Sequence, residues 1–420
     1  MMANNPSSNK RVMVLGIPPT YEYTGHSIDR THNIDYYAAN AGGSLIANAL
    51  CQIFDGEFVY DTSDINKLNE KYDACVLSLA THLDPHRDAS RLAEIVEKLD
   101  MPVMIPAVGI TAYEKKVAKP SPISPSFRKL LSIVSEKSEW IGVRGHYSAN
   151  VLLRNGFKNI VPIGCPTIFR ELNRDLKVEM PNSIDDILFV YHFTAHKYIS
   201  KIKDIDILGQ DLHDHFVFTD ELDHDHMLRN KIYHLYGNKN NVEIFNKNNK
   251  NRTIFYPSFK KWYKTVLDHD FVLGPRLHGC LAAIGKGKPA VFVDHDLRIR
   301  EVAEFFGLPV LSEEFMYNYG VDKNYLSNIS FNKFHDIYPS RFDNFIKMIS
   351  ENKIPIDINN GTNNDFIFKY RDGVTKDYIN SNIAFSSYDI LLDRVKDGVK
   401  NNNIFRPFYK MAKFMKNLRK

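Results

Sequence analysis

The stretch DHDFVLGPRLHGCLAAIGKGKPAVFVDHD, residues 268–296, sets an arginine and a histidine two positions apart where an apolar run stops. Arg276 carries a planar, permanently charged fork whose N–H groups match the oxygens of a carboxylate or phosphate. His278 gives or takes a proton near neutral pH. Spacing alone equally allows a structural arginine beside a histidine bonded to a carbonyl. WIGVRGHYSANVLLRNGF, residues 140–157, repeats the arrangement: Arg144 closes an apolar run, and Ser148 caps or enters the following helix. Taken singly, this is a capping motif with an ion-paired arginine. Taken together, two strand-end arginines are placed to grip one anion from both sides of a cleft.

Other junctions hold reactive residue types. In DYYAANAGGSLIANAL, Asn40, Gly42 and Gly43 open an amphipathic helix where backbone can approach a sugar or phosphate closely. They do not form the G-x-G-x-x-G of a dinucleotide site. ATHLDPHRD brings His82 and His86 to the end of an apolar run, and His295 and Asp296 follow AVFV in the same way. His82, His295 and Asp296 are therefore cleft-lining candidates, and by position alone candidates for taking a proton. DLHDHFVFTDELDHDH, residues 211–226, invites a metal reading through His213, His215, His224 and His226. No cysteine or ordered ligand spacing accompanies them, so the segment reads as solvated surface and no metal is expected.

For these residues to meet, strands must end on one side of a sheet. Short apolar runs alternate with helical patterns throughout, the signature of parallel α/β folds. RVMVLGI, GEFVYD, DACVLSLA, PVMIPAV, WIGVR and NIVPIGCP read as strands of a first domain, residues 1–178. After the polar link VEMPNSID, the strands DILFVYHF, HFVFTD, NVEIF, HDFVLG and PAVFVDHD form a second, residues 183–330. The fold class is thus α/β, with two Rossmann-like doubly wound domains. A mixed, mainly helical extension occupies residues 331–420, with YPSRFDNFIKMISENKIPI as one helix. It ends in RPFYKMAKFMKNLRK, which has six basic residues, no acid, and Phe408, Met411, Met415 and Leu418 on one helical face. That helix suits an anionic membrane surface or docks on the protein itself.

Composition sets the outer limits. With 420 residues, 44% hydrophobic, the chain can bury more than one core, and a net charge of +4 gives no case for nucleic acid. Cys51, Cys75, Cys165 and Cys280 are widely spaced, so disulfides are not expected, and Cys75 and Cys280, in or beside apolar runs, read as buried free thiols. The polar start lacks an apolar signal region, and no run reaches the ~20 apolar residues of a membrane span, so a cytoplasmic protein is expected.

These blocks resemble the polysaccharide pyruvyl transferase family. The most specific is DFVLGPRLHGCLAAIGKGKPAVFVDHDLRIREVAEFFGLP, followed by IGVRGHYSANVLLRNGFKNIVPIGCPT and NAGGSLIANAL; the resemblance spans residues 11–310. His146, displaced by Gly145, stands in place of the acid that the family more usually has after its arginine. The resemblance implies a GT-B-like domain pair, the first on the acceptor side and the second on the donor side. It implies transfer of the pyruvate unit of phosphoenolpyruvate to two hydroxyls of a sugar, forming a cyclic ketal and releasing phosphate. Arg144, Arg276, Leu277 and His278 would bind this donor, with Arg144, Arg276 and His278 catalytic and no further cofactor. The acceptor would be a precursor of a cell-surface polymer, such as a lipid-linked oligosaccharide met at the inner membrane face through residues 406–420. Two rival readings are a nucleotide-sugar glycosyltransferase on the same architecture and a non-catalytic membrane-surface or glycan-binding protein.

Overall fold

The structure, a computed structural model, describes residues 11–19, 41–110, 123–210, 252–254 and 259–358, together with Glu243 and Lys247. Asn40, the His213–His226 segment and the basic tail lie outside them.

The first unit is a parallel sheet. Val12–Gly16 (β1), Glu57–Phe58 (β2), Ala74–Ser78 (β3) and Val103–Met104 (β4) pair in the order β2-β1-β3-β4. Ile141–Val143 (β5) and Ile160–Pro162 (β6) continue it. Val108 donates to the Gly142 carbonyl at 3.0 Å, and Gly142 to that of Ile105 at 2.8 Å. The helices are Ala41–Ile53 (α1), Ile65–Lys71 (α2), Ser90–Glu97 (α3), Pro125–Lys137 (α4) and His146–Arg154 (α5). Gly156 closes α5 with φ +93°, as its position after the helical pattern predicts.

The second unit holds Ile187–Val190 (β7), Asp206–Leu208 (β8), Thr253–Ile254 (β9), Phe271–Gly274 (β10), Ala290–Asp294 (β11) and Val310–Ser312 (β12). Its order, β12-β11-β10-β7-β8-β9, is the Rossmann order, and the strand sequence reverses between β10 and β7. Its α-helices include Phe259–Asp268 (α6), Leu277–Ile284 (α7), Leu297–Phe306 (α8), Glu313–Tyr319 (α9), Lys323–Ser327 (α10) and Asn332–Glu351 (α11). Two expectations change here. β8 and β9, short and flanked by charge, carry too little apolar signal to be read as strands. NVEIF, expected as a strand, is described only at Glu243, which is helical; HFVFTD lies outside the described residues.

Alternation along the strands divides the core into layers. Met13, Leu15, Cys75, Leu77 and Val103 face α3 and α4 on one side of the first sheet. Ile187, Phe189, Phe271, Leu273, Val291 and Val293 face the outer side of the second. The remaining faces, Val12, Val14 and Val76 with Leu188, Val190, Val272 and Phe292, share one middle layer with α1 and α7. Helix α7, LHGCLAAI, is buried along its whole length, which its small residues make possible. Helix α11 begins at Asn332, ahead of the expected pattern, and runs back to the first unit. There Phe345 stacks on Phe169 at 4.5 Å, and Trp140 donates its backbone N–H to Asn352 Oδ1 at 2.8 Å.

All four cysteines are free and buried. Among the described residues no helix is long and apolar enough to cross a membrane, and no cluster of three metal-ligating side chains occurs.

Candidate active site

The strand order puts the site where ligands collect in open α/β sheets, outside the carboxyl ends of strands at the reversal point. β10 ends there and delivers Arg276, which is buried and extended at the N-cap of α7. Its Nε donates to the carbonyl of Tyr191, just past β7, at 2.9 Å. Leu277 turns its side chain into the middle apolar layer, so what it offers a ligand is a backbone N–H at the start of α7. His278 follows in the first turn. Its Nδ1 lies 3.5 Å from Thr167 Oγ1 and 3.7 Å from Cys165 Sγ, both on the chain leaving β6. The ring is therefore carried by the second unit and held by the first.

Arg144 arrives from the other side at the end of β5, 2% exposed, with its N–H on the Val108 carbonyl at 3.1 Å. Its stem lies across Gly109, where a Cβ would stand 2.7 Å from Arg144 Cδ. Its Nε and Nη2 are buried and take no hydrogen-bond partner among the described residues. Ser148 does not cap α5. It stands inside the first turn, and the N-cap is Gly145. Ser148 instead gives its N–H and its hydroxyl to the carboxylate of Glu301, on α8 of the second unit, at 2.5 and 2.8 Å.

The end of β11 supplies the third wall. Asp296 is fully buried and caps α8, accepting the N–H groups of Arg298 and Ile299 at 2.9 and 3.1 Å. Its other oxygen accepts from the Arg298 side chain at 2.6 Å. His295 Nε2 lies 3.1 Å from that oxygen, an ion-pair contact rather than an aligned hydrogen bond. The His295 ring packs over His192, which follows β7, with centroids 4.8 Å apart.

The charges act on one another. Burial first, then Arg144, Arg298 and Arg276, hold the His278 pKa well below 6.5. Burial also lowers that of Arg144, against the pull of Cys165, Glu301 and Asp296. Burial raises Glu301, while Ser148 and Arg144 oppose it. Burial alone would raise Asp296, but Arg298 and His295 keep it far below the usual carboxylate range. His82 is depressed by burial, Arg87 and Arg144. Its Nδ1 accepts the Ala80 N–H at 3.0 Å.

Of the residues singled out in the sequence, Arg144, Arg276, His278, His82 and Asp296 thus belong to one electrostatic group, with His295 at its edge. Gly42 and Gly43 open α1, which packs on α7 at the same seam; Gly43 sits against Ile17. Arg298, Glu301, Thr167, Cys165 and His192 escaped sequence reasoning as site residues. Only Arg298 left a trace, as the first arginine after the strand-end D-H-D.

Residues 40–296 match the profile of the family described as polysaccharide pyruvyl transferase, more than half of the chain. The chain belongs to that family. It is a pyruvyltransferase, and the family implies a saccharide acceptor. Compared with curated proteins, this pyruvyltransferase has no significant match. Among solved structures it is distantly similar to the UDP-GlcNAc 2-epimerase of Methanocaldococcus jannaschii, with 11% identity and TM-score 0.39, covering 81% of this chain and 99% of that one. A putative UDP-N-acetylglucosamine 2-epimerase from Listeria monocytogenes gives 11% and 0.40 over 83% and 98%. The lipopolysaccharide outer core galactosyltransferase WaaB gives 8% and 0.37 over 82% and 99%.

Proposed function

We propose that this pyruvyltransferase takes its pyruvate unit from phosphoenolpyruvate and sets it as a cyclic ketal on two hydroxyls of a saccharide destined for a cell-surface polymer. The observation carrying this reading is the buried Arg144 guanidinium, unpartnered at Nε and Nη2 among the described residues, in a group that includes Arg276 and Arg298. A buried guanidinium with two nitrogens unsatisfied is costly, so an anion suits this place. Phosphoenolpyruvate carries about three negative charges, on a phosphate and a carboxylate, and arginine forks suit both.

His278 is the proton donor in this scheme. Empty, it is held neutral by burial and by the arginines; an arriving anion offsets those charges and raises its pKa. It gives a proton to the methylene carbon, leaving an oxocarbenium-like centre at the neighbouring carbon. One sugar hydroxyl attacks that centre, the bond to phosphate breaks, and the second hydroxyl closes the ring. Of the two hydroxyl protons released, one leaves with the phosphate and the other replaces the proton given to the methylene carbon. No cofactor or metal enters this balance. The six basic residues of 406–420 would hold the enzyme against an anionic membrane if the acceptor is lipid-linked.

The test is phosphate release from phosphoenolpyruvate with a panel of pyranosides and lipid-linked oligosaccharides, beside Arg276→Ala and His278→Ala. Release that needs an acceptor, with a carboxyethylidene mass gain on the sugar and loss in both variants, is the expected result. A protein that binds no phosphoenolpyruvate overturns the reading.

A further inference from the structure

Ketal formation needs a group that takes the proton of the attacking hydroxyl, and the positions of three candidates now differ. His82 accepts the Ala80 N–H on Nδ1, so in its neutral form the proton sits on Nε2 and the ring presents a donor. Asp296 spends one oxygen on two backbone N–H groups and the other on Arg298, and it stays ionised far below neutral pH, which makes it a poor base. His295 differs from both. Its side chain is 4% exposed, and neither ring nitrogen has a hydrogen-bond partner among the described residues.

Its surroundings suit a base. The Asp296 carboxylate lies 3.1 Å from Nε2, on the far side of the ring from the nitrogen that would take the proton. The charged and titratable groups around it are Asp294 and Asp296 at its own strand end, Arg298 and Arg300 on α8, and His192 after β7. Two indirect links connect the ring to the donor group. Asp296 joins it to Arg298, whose charge acts on His278 and Arg144, and His192 adjoins Tyr191, whose carbonyl holds Arg276. β7 and β11 flank β10, so the His192–His295 pair spans the end of the strand that delivers Arg276.

We infer that His295 is the general base of the transfer and that the His192–His295 pair marks the subsite for the acceptor diol. This rests on the function proposed above. As the first hydroxyl oxygen bonds to the electrophilic carbon, its proton passes to His295 Nδ1. The second hydroxyl's proton leaves with the phosphate. His278 has given one proton to the methylene carbon, so proton transfer from His295 through solvent resets the pair and all protons are accounted for.

The test compares wild type with His295→Gln in two measurements: phosphoenolpyruvate affinity by calorimetry, and acceptor-dependent phosphate release across the pH range with a sugar from the panel above. His295→Gln should bind phosphoenolpyruvate as wild type does. Its turnover should fall by about 10²–10⁴-fold, and the decline of kcat/KM toward acid pH should disappear. A variant that turns over like wild type, or keeps the acid limb, overturns the assignment while leaving pyruvyl transfer intact. A variant that loses phosphoenolpyruvate binding in step with turnover also overturns it, since His295 then serves the donor pocket. A wild type that binds no phosphoenolpyruvate removes the function proposed above, and this assignment with it.

Discussion

Ser148 and Glu301 meet across the seam of the molecule, the serine of α5 giving both its N–H and its hydroxyl to the carboxylate of α8. The space for that carboxylate comes from Gly145, where a Cβ would stand 2.5 Å from Glu301 Cγ. No acid follows Arg144 within the first turn of α5, but a carboxylate is present there in space. It comes from the second unit and sits where a helix N-terminus favours negative charge.

An acid placed at the start of α5 should therefore do harm. Gly145→Asp puts a side chain into Glu301 and a second carboxylate beside it. The expected outcome is a loss of about 1–3 kcal/mol in stability by denaturant unfolding, with weaker phosphoenolpyruvate binding. Unchanged stability would show that α5 and α8 do not need this approach.

Arg144 should trade stability for binding. Its guanidinium is buried, with two nitrogens unpartnered among the described residues. Arg144→Met removes two unsatisfied buried nitrogens and keeps most of the volume, so the ligand-free protein should be no less stable than wild type. Phosphoenolpyruvate affinity should fall by at least about 2 kcal/mol, roughly 30-fold. Thermal unfolding with and without ligand reads both effects; a variant less stable than wild type would argue for a structural arginine.

Proton uptake should accompany donor binding. The empty-state pKa of His278 lies well below 6.5, so the ring is neutral at pH 7, and a bound anion moves it upward. Binding enthalpies in two buffers of different ionisation heat should differ, affinity should weaken as pH rises, and His278→Gln should abolish the buffer dependence. Equal enthalpies in both buffers would place the reaction's proton elsewhere.

Stability should also depend on pH through the buried histidines. His82 and His278 both have folded-state pKa values well below 6.5. The unfolded chain binds these protons near 6.5 and the folded chain does not. Their contribution is therefore complete above that pH and is lost as pH falls below it, by up to about 1.4 kcal/mol per pH unit per group. Melting temperatures measured from pH 8 to pH 5 should fall along the acid side, and less steeply in His82→Gln.

The strands were legible where burial on both faces leaves unbroken apolar runs, as in VMVLG, ACVLS, FVLG and AVFVD. The strand-end positions of Arg144, Arg276 and His278 followed directly. What escaped was whatever depends on the second unit meeting the first. Glu301 and Arg298 lie in an ordinary amphipathic helix whose pattern says nothing of which partners its polar residues find. Thr167 and Cys165 reach His278 only because β6 runs beside the seam. His192 follows β7 without any spacing that ties it to His295. The type of Ser148 suits either a cap or the first turn; the extended Gly145 takes the cap, and the serine in the first turn finds its partner in the other unit.

The middle apolar layer bears on how the chain is held together. VEMPNSID looks like a hinge, yet α1 packs on α7 across it, Val178 donates its N–H to His335 Nε2 at 3.0 Å, and Phe345 stacks on Phe169. The link is a boundary along the polypeptide and a weak one mechanically. A protease that cuts there would leave two fragments clasped by their shared interior, and separately produced halves should find each other and rebuild the cleft.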